Sequence, residues 1–93
     1  MAYGIVLTSD NQVKADAGKL IGVVATGVGV TAGNKIEFID SLTATGTSKC
    51  TIVFPAAASS VTFTPAHPIS FATGIFADFT LSGGAATLSA VYE

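Results

Sequence analysis

The chain has 93 residues, of which 49% are hydrophobic and 11% are charged, and its net charge is −2. This length predicts one domain with a core that is small for independent stability. Four lysines and no arginine argue against a nucleic-acid partner, because no basic stripe is present to contact phosphates. The longest apolar run, 20–30, is interrupted by glycines and falls short of the roughly 20 residues of a membrane span, so no membrane association is expected.

Strand-like runs recur along the chain at intervals of about 8 to 12 residues, the spacing typical of a sandwich or barrel. They cover residues 4–8, 12–15, 19–26, 35–39, 49–54, 60–64, 69–71, 75–81 and 86–92. No segment favours a stable helix, and no linker divides the chain. We therefore predict an all-β fold in which residues 1–93 form a single antiparallel β-sandwich, jelly-roll-like, with about eight strands. A small β-barrel is the alternative.

Hydrophobic alternation predicts which side chains form the core. Ile36 and Phe38 share one face of their run while Lys35 and Glu37 take the other, as in an antiparallel sheet with one solvated face. The run 20–25 is apolar on both faces, so it is predicted to be a central or partner-covered strand. The predicted core comprises Ile5, Leu7, Val13, Ile21, Val23, Ile36, Phe38, Ile52, Phe54, Val61, Phe63, Ile69, Phe71, Ile75, Phe79, Leu81 and Leu88.

The C-terminal region predicts a β-hairpin. Gly83 and Gly84 lie between two alternating runs, and a two-residue Gly-Gly loop is a strong hairpin signal because glycine readily adopts positive φ. With this loop, apolar residues face apolar residues in four pairs: Leu81 with Ala86, Phe79 with Leu88, Ala77 with Ala90, and Ile75 with Tyr92. Phe76 opposite Val91 forms an apolar pair on the otherwise polar face, which marks both as candidate partner contacts.

The segment Gly27-Val-Gly-Val-Thr-Ala32 matches the G-x-G-x-x-A form of a dinucleotide-binding loop. That motif needs a helix to follow it, and here a strand-like run begins at Lys35, so a sandwich loop is the favoured interpretation. Val28 and Val30 in this loop have two interpretations, burial against the chain's own core or contact with a partner.

Residues able to carry catalysis or bind a metal are few and scattered. His67 lies in a turn without further metal ligands nearby, and Cys50 borders a strand without a neighbouring base. The carboxylates with candidate roles are Asp10, Asp16, Glu37, Asp40 and Asp78. A calcium site near Asp10 or Asp40 has no loop motif to support it. These observations predict a non-enzymatic protein with no catalytic residues, no cofactor and no metal.

Four segments carry a family resemblance: Val13 to Val24, Lys35 to Asp40, Ile69 to Ala77 and Leu88 to Glu93. Their shared features are strand patterns and a Phe-x-x-Gly-Ile-Phe turn at 71–76. Together they resemble the small capsid decoration (cement) proteins of tailed bacteriophages, including phages of aquatic bacteria such as cyanobacteria. The similarity covers most of the chain.

The resemblance implies a small β-rich virion protein on the capsid exterior that stabilises contacts between major capsid subunits. Its partners would be the major capsid protein and further copies of itself, often in a homotrimer. The candidate interface residues are Tyr3, Val28, Val30, Phe76 and Val91. The lack of a basic signal-peptide region and the single cysteine fit synthesis in a host cytoplasm.

A function from a different class is the alternative: a glycan- or receptor-binding β-sandwich module of a phage tail, fibre or host-surface protein. Loops often carry the binding residues of sandwich folds. Two polar loops, 10–12 and 41–48, offer hydroxyl, amide and carboxylate groups for this purpose.

Overall fold

The computed structural model describes residues 2–55 and 59–93, which form nine β-strands. The strands are β1 (Tyr3–Leu7), β2 (Asn11–Lys14), β3 (Gly18–Val28), β4 (Lys35–Asp40), β5 (Thr47–Val53), β6 (Ser59–Phe63), β7 (Ile69–Phe71), β8 (Ile75–Thr80) and β9 (Ala85–Tyr92). Each predicted strand is present, with both ends within two residues of the predicted positions. Within those two ranges the chain forms no helix, and hence none of the length and apolarity needed to cross a membrane.

The nine strands form two antiparallel sheets that pack face to face. Sheet A has the order β1-β9-β3-β6, with β7 also paired to β3, and sheet B has the order β2-β8-β4-β5. β6 pairs with residues 23–27 of β3 and β7 pairs with residues 18–20, so the two short strands together take the place of one. Along the chain, the strands pass repeatedly from one sheet to the other, as they do in a jelly roll. The predicted sandwich is confirmed, and the barrel alternative is wrong because no pairing among the described strands joins the sheets.

The predicted C-terminal hairpin is wrong. β8 lies in sheet B between β2 and β4, whereas β9 lies in sheet A between β1 and β3. The segment 81–84 therefore crosses from one sheet to the other instead of returning along a neighbouring strand. The apolar residues of both strands still belong to one core, which they enter from opposite sides. Alternation alone does not distinguish the two arrangements, because it reports only which face of a strand is buried.

The hydrophobic core lies between the two sheets. Ten of the predicted core residues are buried: Leu7, Val13, Val23, Ile36, Phe38, Ile52, Phe54, Phe71, Ile75 and Leu88. Six more pack against these and are partly buried: Ile5, Val61, Phe63, Ile69, Phe79 and Leu81. Seven buried hydrophobic residues lie outside the predicted core: Leu20, Ala25, Val30, Ile39, Ala77, Ala86 and Ala90. A methyl side chain adds little to a hydrophobic pattern, so alanine positions are poorly assigned by alternation.

Ile21 was predicted to lie in the core, and this prediction is wrong. The pairing of β3 with β9 shifts by one residue between Leu20 and Gly22. Leu20 is fully buried, while Ile21 is half-buried and lines a depression on the outer side of sheet A. An irregularity of this kind reverses the alternation of side chains along a strand. The pattern that places Val23 in the core therefore does not extend back to residue 21.

Asp40 closes the turn between β7 and β8. Its Oδ1 accepts hydrogen bonds from the backbone N–H groups of Thr73 at 2.8 Å and Gly74 at 3.5 Å, and its Oδ2 accepts one from Ala72 at 3.1 Å. The N–H groups of Thr73 and then Ala72 are the main causes that hold the pKa of Asp40 below its ordinary value of 3.8. The carboxylate therefore stabilises the fold in its charged form.

We expect the Asp40→Asn variant to be less stable than the wild type at neutral pH, because the amide replaces one acceptor oxygen with a donor. In the wild type, this contribution is present above the ordinary pKa of 3.8 and is lost as the pH falls through the lower pKa of the folded state. Urea denaturation of both proteins at pH values from about 7 to about 2 measures it. The difference in stability should shrink with falling pH, and a constant difference would contradict an electrostatic role.

Candidate interaction surface

Charged residues are distributed unequally between the two sheets. The strands of sheet B carry six: Lys14, Lys35, Glu37, Asp40, Lys49 and Asp78. The strands of sheet A carry one, Lys19, in the part of β3 that pairs with β7. The outer face of sheet A is therefore free of charged side chains across β1, β9, β6 and the remainder of β3.

Valine and hydroxyl side chains cover this outer face in rows that run across the strands. In one row, Val6 of β1 lies beside Ser89 of β9, followed by Val24 of β3 and Thr62 of β6. Val6 is 64% exposed and Val24 is 43% exposed. Covering such a row with a partner removes apolar area from water without desolvating a charge, and both effects favour binding.

The adjacent row contains a depression. Val91 of β9 lies between Gly4 of β1 and Gly22 of β3. Because Gly22 has no side chain, the surface sinks over it into a depression of about 300 Å³. The side chains that surround it are Ile21, Val24, Thr62, Thr64, Ser89 and Val91. All of them are uncharged, and the polar groups among them are hydroxyls.

The outer face of sheet B is polar by comparison. Lys35 and Glu37 form an ion pair with an Nζ–Oε1 distance of 3.1 Å, and Glu37 lies opposite Asp78. Burial, and next a hydrogen bond with Asp10, raise the pKa of Asp78 above its ordinary value of 3.8. The Asp10 carboxylate also accepts the backbone N–H of Phe79 at 2.7 Å. A partner that covered this face would have to desolvate several charges, so sheet A offers the better binding surface.

Three of the five predicted interface residues belong to sheet A. Val91 is 42% exposed on the outer face, and Val28 is 68% exposed at the end of β3. Tyr3 is 54% exposed in β1, with its ring centroid 5.8 Å from that of Tyr92 in β9. The structure thus brings Val28 and Val91 onto the same sheet as the uncharged rows.

The other two predicted interface residues are placed elsewhere. Val30 is 1% exposed and belongs to the core, so its side chain is closed to a partner; burial against the chain's own core was the correct interpretation. Phe76 is half-buried in sheet B, where it lies opposite Ile39. It is not paired with Val91, since β8 and β9 belong to different sheets.

Among the candidates for chemistry, the Asp78 carboxyl lies near those of Asp10 and Glu37 on sheet B. His67 is exposed in a bend between β6 and β7, and Cys50 is half-buried opposite Phe38. Burial raises the pKa of the Cys50 thiol above its ordinary value of 9.0, which disfavours the reactive thiolate. The segment 27–32, whose first two residues belong to β3, leads toward β4 without a helix. In the described part of the chain, no three His, Cys, Asp or Glu side chains are grouped so that they could hold a metal ion.

The centre of the uncharged surface was not predicted from the sequence. Val6, Val24 and Gly22 were not among the predicted contacts, yet two of them are exposed valines and the third creates the depression. One signal for them was present in the sequence, the run 20–25 that is apolar on both faces. β3 is central, since it pairs with β9 on one side and with β6 and β7 on the other. Its outward valines remain exposed in the isolated chain.

No model of a known protein family matches this sequence. No curated protein matches it either. Inference about function therefore depends on the surface described above and on the segments that resemble phage decoration proteins.

Proposed function

We propose that the chain is a non-enzymatic virion structural protein that binds the outer surface of a phage capsid and stabilises contacts between major capsid subunits. The observation that carries the proposal is the uncharged outer face of sheet A. An antiparallel sheet with one face in water usually presents polar residues on that face. Here the exposed large hydrophobic residues of the face are Val6, Val24, Val28 and Val91. These valines lie among exposed hydroxyl side chains, and an uncharged face with several exposed valines is suited to contact with a partner.

The size of the surface suits a specific protein contact. The chain measures 33 × 25 × 19 Å along its principal axes. The broadest face of the domain is therefore at most roughly 33 by 25 Å. A specific interface buries about 800 Å² on each partner, an area comparable to one broad face of the domain.

Mass action supplies the stabilising effect. A protein that binds the assembled lattice but not the separate subunits lowers the free energy of the lattice by its binding free energy. A symmetric shell presents many equivalent sites, and each occupied site adds its own contribution. No catalytic group is needed for this function.

We also propose that the chain acts as a homotrimer. The edge strands of sheet A, β1 and β6, contain no charged residue, whereas the edge strands of sheet B contain Lys14 and Lys49. Lysine on an edge strand discourages pairing with another chain. Contact between the two different edges of sheet A is head-to-tail and closes into a ring at a suitable rotation. Light scattering should give three times the 9.3 kDa chain mass on dilution, and a 9.3 kDa species throughout would contradict the trimer.

We expect the Val6→Asp variant to bind empty phage heads at least about tenfold more weakly than the wild type, because an unpaired carboxylate would be buried at the interface. The heads would be assembled from the major capsid protein of the phage that carries the gene, and co-sedimentation would measure binding. Val53→Asp is the matched control. Val53 is 50% exposed, lies on an edge strand as Val6 does, and faces outward on sheet B beside Lys35.

Both variants change the net charge equally. A difference in their binding to heads is therefore caused by the face on which the new carboxylate lies and not by the overall charge. Unchanged binding of Val53→Asp together with weak binding of Val6→Asp supports the proposal. Equal binding by the two variants would show that sheet A does not face the shell. Thermal unfolding of each variant verifies that loss of binding is not loss of fold.

One observation favours the second candidate, a glycan- or receptor-binding module. The two polar loops lie together, since the Gln12 side-chain amide donates a hydrogen bond to the Leu42 carbonyl at 2.9 Å. Hydroxyl groups form a chain along the second loop, with oxygen–oxygen distances of 3.4 Å from Ser41 to Thr43 and 3.0 Å from Thr43 to Thr45. Exposed hydroxyls at one end of a sandwich are suitable partners for sugar hydroxyls.

A glycan array separates the two functions. A glycan that binds the wild type and loses binding in Thr43→Ala would favour the receptor-binding module. Binding to empty heads without a glycan hit would favour capsid decoration.

A further inference from the structure

The two tyrosines of the sequence form a contacting pair on neighbouring strands. Tyr3 at the start of β1 lies directly opposite Tyr92 at the end of β9, and their ring centroids are 5.8 Å apart with 33° between the ring planes. Aromatic rings in contact have centroids about 4.5 to 7 Å apart. Tyr3 is 54% exposed, whereas Tyr92 is half-buried and packs against the core. One ring of the pair is thus open to reagents in the solvent, and the other is held beside it.

The composition directs one-electron oxidation to this pair. The sequence has no tryptophan, a single methionine at position 1 and a single cysteine. Cys50 is half-buried, and its burial disfavours the thiolate that oxidants attack. A radical formed on either tyrosine has the second tyrosine ring in contact with it, so the two rings can couple without any movement of the strands.

We infer that Tyr3 and Tyr92 are a modification site at which a peroxidase-type oxidant forms a dityrosine cross-link within the chain. Each phenol loses one electron and its hydroxyl proton, and the two radicals form a carbon–carbon bond between ring positions ortho to the oxygens. The hydrogens on those two carbons then move to the oxygens and restore both hydroxyls. The two electrons and two protons released reduce one hydrogen peroxide to two water molecules.

The cross-link would join the first strand of the fold to the last. Among the described strands, β1 is an edge strand that pairs with β9 alone. A bond from residue 3 to residue 92 would hold β1 on sheet A and close nearly the whole chain into a loop. Closing a long loop restricts the unfolded chain, as a disulfide does, and so stabilises the folded state.

Oxidation of the dilute protein by a haem peroxidase and hydrogen peroxide tests the site. We expect dityrosine fluorescence in a product that has the mass of one chain less two hydrogen atoms, with a yield that does not depend on protein concentration. Proteolysis should release a linked pair of peptides, one containing Tyr3 and the other Tyr92. The product should unfold at a temperature about 5 °C or more above that of the untreated protein.

The Tyr3→Phe variant keeps an aromatic ring on Tyr92 and removes one coupling partner, so it should form no link within the chain. The matched control adds Val53→Tyr to Tyr3→Phe. It restores the number of tyrosines but places the second one on the outer face of sheet B, where Val53 is 50% exposed. This double variant should also form no link within the chain.

Three results would overturn the site. The first is a link within the chain of the double variant at the wild-type yield, which would show that contact in the fold is not the cause of coupling. The second is a wild-type product in which dityrosine joins only separate chains. The third is wild-type protein that forms no dityrosine although free tyrosine in the same reaction does.

Discussion

Replacing Gly84 by alanine is expected to lower the free energy of unfolding by about 2 to 4 kcal/mol, the sum of a left-handed backbone penalty and overpacking. Gly84 has φ of 72°, a conformation that residues with a side chain rarely adopt. A Cβ at this position would lie 2.3 Å from the carbonyl carbon of Gly29 and 2.5 Å from the carbonyl oxygen of Val28. Both are backbone atoms, so no side-chain rotation relieves the contact.

Gly83→Ala is the matched control, and urea denaturation of both variants is the measurement. Gly83 is not among the glycines with positive φ, and a Cβ there would have no atom within 4 Å. The Gly83→Ala variant should therefore lower the free energy of unfolding by no more than about 0.5 kcal/mol. In a two-residue type I′ hairpin, both glycines would need positive φ and both substitutions would be costly. Equal losses at the two positions would therefore favour the hairpin and contradict the crossover between sheets.

Phe38→Ala is expected to lower the free energy of unfolding by about 3 to 5 kcal/mol, the usual cost of deleting a buried phenylalanine. Phe38 has no exposed surface and lies on β4, inside sheet B. Its cross-strand neighbours, Cys50 on β5 and Ala77 on β8, are both small, so they cannot close the space left by the ring. The free energy of unfolding of a domain of this size is about 5 to 15 kcal/mol in total, so a large part of its stability depends on one side chain.

The control for Phe38→Ala is Val53→Ala, which removes a half-exposed side chain from the outer face of sheet B. The Val53→Ala variant should lower the free energy of unfolding by about 1 kcal/mol or less. Urea denaturation of the two variants measures the difference. Similar small losses in both would mean that the core is not centred on Phe38 as the structure places it.

Most of the fold can be predicted from the hydrophobic alternation in the sequence. All nine strands were predicted because turn residues separate short alternating runs, and the faces of β4 and β5 were assigned correctly. Ile36, Phe38 and Ile52 all lie in the core that the pattern assigned to them. A side chain's burial is a local property of the strand, so the local pattern is sufficient to predict it.

Sheet membership was not predictable in the same way. The alternation in β8 and β9 is satisfied equally by a hairpin and by two strands facing each other across a core. The jelly-roll topology selects the second arrangement, and the Gly-Gly link then serves a close backbone approach at Gly84. Long-range contacts decide the matter, and no short window of sequence contains them.

The candidate site depends on the same long-range information. Val6, Val24 and Val91 come from three separate parts of the chain, and only the order β1-β9-β3 makes them neighbours on one face. The depression further requires the register shift beside Gly22, which the apolar run 20–25 does not reveal. Val30 shows the opposite error, since a valine in a loop can be buried by its own fold.

A density map of empty heads incubated with the protein, obtained by electron cryo-microscopy, would show whether the chain binds the shell and through which sheet. We expect density for the chain on the outer surface of the shell, with the outer face of sheet A against the capsid protein and the charged face of sheet B toward solvent. Density with sheet B against the shell, or heads without added density at saturating protein, would contradict it.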